Sequence, residues 1–267
     1  MTAVVRSVLG AMRATRRGAI AWWLATGLLI VATVAFWPAF RGASGLSDAF
    51  SQLPSGLIQA LGLEDFATPA GFLRGNLYEL LVPLLLVGAA VGFANGLTAG
   101  EEDAGRLELL LAQPASRQRV FLARAVAVAA WLGLIVLGLI ALQLLADRWF
   151  DLQLEAGRIA ATVAVVGLLA ALHGALAIAI AGLRPRPSLV LGLTVAIAIG
   201  GFAVSALFPL SASLRPWADL SPWRWALAGD PLVNGVEPWR WLALAAPSLL
   251  LVLVGTVAFT RRDVRSA

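Results

Sequence analysis

Lysine and cysteine are absent from this 267-residue chain, histidine occurs once, at His173, and charged residues make up only 13% of the total. Each absence removes a class of chemistry. A P-loop needs a lysine that reaches the β- and γ-phosphates, and Schiff-base catalysis needs a lysine amine. A thiolate nucleophile, a disulfide and a thiolate metal site all need cysteine. One histidine does not make a histidine-rich zinc site. The sequence also shows no nucleophile–base set, no paired carboxylates within an apolar run and no metal-ligand spacing. The chain is therefore not expected to be an enzyme, and any ATP it depends on is hydrolysed by another chain.

What is present is apolar. Sixty per cent of the residues are hydrophobic and the mean hydropathy is +0.86. A soluble domain of this size has no use for so much apolar surface, so the composition reads as one polytopic membrane domain over residues 1–267. All 20 basic residues are arginine, against 15 acidic ones. This modest excess gives no reason to expect nucleic acid as a partner. Heavy use of Arg and Ala in place of Lys fits GC-rich coding and a bacterial source.

Six apolar runs define an all-α bundle with spans at about 19–40, 76–99, 119–146, 158–183, 188–210 and 239–260. Residues 2–17 put Val4, Val5, Val8, Leu9 and Met12 on one side of a helical wheel and Arg6, Arg13, Arg16 and Arg17 on the other. They read as an interfacial helix on an anionic leaflet, or as a basic flank that only fixes topology. The run from Ile20 to Phe40 is too long for a signal-peptide core and lacks a cleavage site. Trp22 and Trp23 are expected at one membrane interface, and Trp37 at the other. Leu53, Leu57 and Leu61 predict a short interfacial helix before span two. Gly88, Gly92 and Gly96 form a small-xxx-small stripe on span two, for packing within the bundle or between subunits; Gly167, Ala171, Ala175 and Ala179 form another on span four. Arg184-Pro-Arg-Pro187 predicts a tight turn.

Thirteen arginines fall at the N-terminus, in and just beyond the 100–119 connection, in the 184–187 turn and in the tail. Seven fall in the other three connections. The positive-inside rule puts both termini in the cytoplasm of a multi-pass protein of the bacterial cell membrane. His173, near the middle of span four, reads either as a proton or substrate contact or as a neutral imidazole satisfied by a neighbouring helix. Arg74 and Glu79 are expected at the interface, and the tryptophans from 217 to 241 read as an aromatic belt.

The connection between spans two and three stands apart. It puts five charges, Glu101, Glu102, Asp103, Arg106 and Glu108, into eight residues. At roughly 2.5 to 3.5 kcal/mol per charge, burying all five in hydrocarbon would cost on the order of 12 to 17 kcal/mol. The segment therefore lies outside the membrane. Leu107, Leu110 and Leu111 share one face at i, i+3, i+4, and Pro114 ends the run. An amphipathic helix between two spans is a docking surface, with the leucines as anchors and the charges as a rim.

Glu101-Glu102-Asp103-Ala-Gly105-Arg106-Leu107-Glu108-Leu-Leu110-Leu111-Ala-Gln-Pro114-Ala-Ser116-Arg117 resembles the acidic, Leu-rich, Pro-x-Ser-Arg segment of type-2 ABC (ATP-binding-cassette) exporter permeases. Asp65-Phe-Ala-Thr-Pro-Ala-Gly71, Leu220-Ser-Pro222 and Asp230-Pro-Leu-Val-Asn-Gly235 extend the resemblance along the chain. It departs at Arg106, where the family often carries Thr. The resemblance implies that this segment is a coupling helix for a separate nucleotide-binding ATPase subunit, which carries ATP and Mg. It further implies that two six-span permease subunits, identical or related, form the export pathway. The reading from another class is an ion- or proton-coupled secondary carrier, which needs ionisable residues near the midplane; only His173 qualifies. A membrane-embedded enzyme comes third. The sequence does not specify a substrate.

Overall fold

A computed structural model describes residues 3–41, 68–106 and 116–262. Six helices in it are long and apolar enough to cross a membrane. Even-numbered crossing puts the first and last described residues on the same side, called the terminal side below.

Span one is a single helix, Ala3–Ala35, continued by Trp37–Arg41. The separate interfacial helix expected over 2–17 is not formed. Gly18 alone is too weak a breaker, at about 1 kcal/mol, to interrupt a run with no proline. The apolar face of this stretch meets protein: Ala11 is buried, Val8 and Met12 pack on the core, and the Trp131 indole donates to the Met12 carbonyl at 3.1 Å. Trp22 and Trp23 also turn inward. Trp22 lies against Gly88, and a Cβ on Gly138 would collide with the Trp23 ring. Trp37 is buried and packs against Phe40 and Phe72.

Span two starts earlier than the hydropathy implies, and it is not one helix. Thr68 caps it, its hydroxyl accepting from the Gly71 amide at 3.1 Å, and Pro69 occupies the first turn, where its missing N–H is harmless. Pro69–Leu73 is α-helical, Arg74–Tyr78 is π-helical, and a turn at Glu79–Leu80 precedes the regular helix Leu81–Leu97. The helix predicted from Leu53, Leu57 and Leu61 lies outside the described residues.

Span three, Arg117–Phe150, is roughly 51 Å long at 1.5 Å per residue, well beyond the hydrocarbon thickness. Span four, Ala156–Leu183, is the axis of the bundle: 18 of its 28 residues are buried. Its small residues each meet a different neighbour. A Cβ on Gly167 would press on Val136 of span three, one on Gly174 would stand 3.1 Å from Ala90 of span two, and Gly182 meets Gly255 of span six. The Arg184–Pro187 turn forms as expected, with span five starting at Pro187. Span five, Pro187–Leu207, buries only Val190, Thr194 and Ala198, one stripe at i, i+4, i+8. Most of the surface between Leu191 and Gly200 outside that stripe is exposed.

Three short helices, Arg215–Ala218, Pro222–Leu227 and Pro231–Asn234, fold over the side opposite the termini. Each begins with a proline in its first turn. Trp223 is the peg that seats them. It is buried, donates to the Ala198 carbonyl at 3.0 Å and meets Phe202 edge-on, while the Ser221 hydroxyl donates to the Gly201 carbonyl at 2.6 Å. Trp217 and Trp239 are exposed, as members of an aromatic belt must be, whereas Trp223 is buried and is not free to belong to one. Span six is Pro238–Arg261. Glu237, just before it, is held below the usual carboxylate range by hydrogen bonds from Trp239 and Arg240.

Candidate functional site

The connection after span two is charged, so it was expected to present those charges outward. Span two ends at Leu97, and Thr98 sits at φ −123°, ψ −91°, well off the helical region. A short helix follows, Ala99–Asp103, and then a turn through Ala104 and Gly105. Gly105 has φ +67°, a backbone region that side-chain-bearing residues rarely enter, so glycine is favoured there. Arg106 is helical again.

Two of the predicted rim charges point inward instead. Glu102 is paired end-on with Arg262, Nη1 to Oε1 at 2.7 Å and Nη2 to Oε2 at 2.6 Å. The Glu102 side chain is 5% exposed and that of Arg262 17%. Glu101 accepts from Nε of Arg124 at 3.0 Å, with the arginine side chain 5% exposed. Asp103 and Arg106 do face outward. Leu107, Glu108, Leu110 and Leu111, the predicted anchors and the fifth charge, lie outside the described residues.

The reason for the inversion is local. A bidentate guanidinium–carboxylate pair makes two parallel charge-assisted bonds, the geometry that best repays desolvating both groups. Arg262 is further fixed on every side. Its Nε donates to the Gly182 carbonyl at 2.9 Å, its carbonyl accepts from Arg117 at 3.1 Å, and its guanidinium lies 5.1 Å from the Phe259 ring centroid. Phe259 stacks on Phe121 with centroids 4.7 Å apart. One residue therefore ties together the ends of spans two, three, four and six. The gap among Glu102, Phe121, Arg124 and Arg262 is about 10 Å³, close to the least space that admits one water. With so little water present the charges are weakly screened. Removing one partner of such a pair costs about 3–5 kcal/mol, because the other is left buried and unpaired.

On the opposite side the π-helical stretch carries the second charged contact. Arg74 donates to Oδ2 of Asp230 at 2.8 Å, joining span two to the last of the short helices. Asp230 is held in the left-handed region at φ +54°. A cavity of about 110 Å³ opens beside this pair, between Tyr78, Phe202 and Trp223. Arg74 lies in the second turn of span two, locked to a residue 156 positions later.

His173 is buried in span four, and its Nδ1 lies 2.9 Å from the Leu169 carbonyl of the same helix. That contact lies within its own helix rather than with a neighbouring one. Of the span-two stripe, Gly88 takes the Trp22 ring, while Gly92 and Gly96 meet nothing within 4 Å. Among the described residues, those two glycines face no other span.

Sequence reasoning missed Arg124 and Arg262, which it counted only as topology signals. A signal existed for Arg124: an arginine seven residues into span three needs a counter-charge, and the acids of the preceding connection, Glu101 and Glu102 among them, were available to supply it.

Residues 6–260 match the family described as multidrug efflux system permease Rv1217c, C-terminal domain. No curated protein matches the chain. The match covers nearly the whole chain, which belongs to this family and is a membrane-embedded transport permease.

Proposed function

We propose that this permease is the transmembrane subunit of an ABC exporter, working with a separate nucleotide-binding subunit that binds ATP and Mg and hydrolyses the nucleotide. The observation that carries this reading is the segment beginning at Ala99. It leaves the bundle through a break at Thr98 and is rooted by two buried ion pairs, and its sequence then runs on into the Leu107, Leu110 and Leu111 face. A docking helix that must transmit force needs a rigid root of this kind. The absence of any lysine, and hence of a P-loop, assigns nucleotide chemistry to the partner chain.

The arginine split supports a bacterial cell membrane with the terminal side, and so the docking segment, in the cytoplasm. A second permease subunit completes the pathway. Gly92 and Gly96 on span two and Gly192 and Gly200 on span five all meet nothing within 4 Å, leaving small-residue faces open to another helix.

Co-expression of the tagged chain with a candidate ATPase subunit that carries a Walker A motif, followed by co-purification and reconstitution into vesicles, tests the reading. It predicts a complex of both chains whose ATP hydrolysis drives export. Export that follows an imposed proton gradient and needs no ATPase would replace it with the carrier reading.

A further inference from the structure

Thr98 breaks the path from span two into Ala99–Asp103, so that short helix is not a rigid extension of the span that precedes it. One backbone bond, from the Glu102 amide to the Thr98 carbonyl at 3.1 Å, still links it to the break, but its charged side chains reach other spans. Glu101 is bound to Arg124 of span three and Glu102 to Arg262 at the end of span six. Arg262 in turn holds the Gly182 carbonyl at the end of span four. A displacement of the docking segment is therefore resisted least at Thr98 and most at these pairs, where separation would strand charges in a nearly dry space.

We propose that Arg262 and Arg124 are positioning residues through which movement of the docking segment reaches spans six and three, leaving span two comparatively still. This rests on the exporter reading above. The bidentate geometry matters because two parallel bonds resist rotation as well as separation. Span six then moves with the docking segment as a unit, and span four follows through the Gly182 carbonyl and the backbone contact with Gly255.

The chain has no cysteine, so single labels can be introduced cleanly. Val257→Cys and Val126→Cys place exposed spin labels near the terminal-side ends of spans six and three. The labelled permease, purified with its ATPase, is measured before and after trapping with ATP, Mg and vanadate. The expected result is a nucleotide-dependent change in both labels. In the complexes that form, Glu102→Gln and Arg262→Gln each abolish the change at Val257→Cys, and the double variant is no worse than either single one. Glu101→Gln abolishes the change at Val126→Cys alone. Glu102→Asp, which keeps the charge but shortens its reach, gives a partial loss and serves where the neutral variants do not accumulate. A full response at Val257→Cys in Glu102→Gln or Glu102→Asp, or no response in the unaltered complex, overturns the proposal. Failure of any ATPase to co-purify with the unaltered chain overturns the exporter reading instead.

Discussion

Gly182 of span four and Gly255 of span six cross backbone to backbone. A Cβ on Gly182 would collide with the Gly255 carbonyl oxygen, and one on Gly255 would stand 2.9 Å from the Ala179 Cα. In lipid, where burying apolar surface gives no advantage, such close approach is a main source of attraction between helices. The crossing also sets the node described above. Arg262 lies seven residues, about two turns, beyond Gly255, where its Nε reaches the Gly182 carbonyl.

Gly182→Val is expected to destabilise the folded chain by at least the roughly 1–3 kcal/mol typical of overpacking, since the opposing atoms are backbone and have no rotamer to change. Thermal melting in detergent checks this. Gly92→Leu is the contrasting case: it meets open space, so the melt of the single chain stays unchanged while the subunit assembly weakens. A Gly92→Leu chain that melts early as a monomer would show that the face is occupied internally.

The positions of the spans were legible, because long apolar runs between arginine-rich connections have few alternative readings. The partners of individual residues were not. Small residues at i, i+4, i+8 mark a face that permits close approach, yet Gly88, Gly92 and Gly96 say nothing about what approaches. The true backbone contact pairs two glycines 73 positions apart in different spans. Charges were misread for a related reason. Glu102 in a hydrophilic stretch reads as solvent-facing until its partner is known, and that partner is 160 residues away. The break at Thr98 and the π-helical turn at Arg74–Tyr78 leave no hydropathy signal, since both occur inside continuous apolar or mixed sequence.

Trp223→Ala is expected to loosen the short helices from span five and cost about 3–5 kcal/mol, through the lost indole volume and the lost hydrogen bond to the Ala198 carbonyl. Trp223→Phe keeps most of the volume and loses only the hydrogen bond, so its effect is smaller. Limited proteolysis around 208–235 reports the loosening, which should follow the order Ala, Phe, unaltered chain.

His173→Gln is expected to leave ATP-driven export largely intact. The imidazole bonds to Leu169 within its own helix, and among the described residues no ion pair joins it to the counter-charge that a proton-coupling role would need. A glutamine amide can donate to the same carbonyl. A folded, ATP-hydrolysing variant that exports nothing would revive the carrier reading.

Ser116→Cys and Ser213→Cys both place thiols at exposed positions, on opposite sides of the bundle. An impermeant thiol reagent added to intact cells should label Ser213→Cys and spare Ser116→Cys, following the arginine split. Labelling in the reverse order would invert the topology and remove the docking segment from the side where ATP is found.

The central claim is that the segment following Gly105 docks on an ATPase, and one comparison tests it directly. Leu110→Asp puts an unpaired charge on the apolar face that would enter the partner, whereas Asp103→Ala removes an exposed rim charge. Both variants are co-purified with the ATPase and assayed for substrate-stimulated ATP turnover. The account predicts that Leu110→Asp loses the ATPase and the stimulation, while Asp103→Ala keeps both nearly unchanged. A Leu110→Asp permease that retains its ATPase and its stimulated turnover would contradict it.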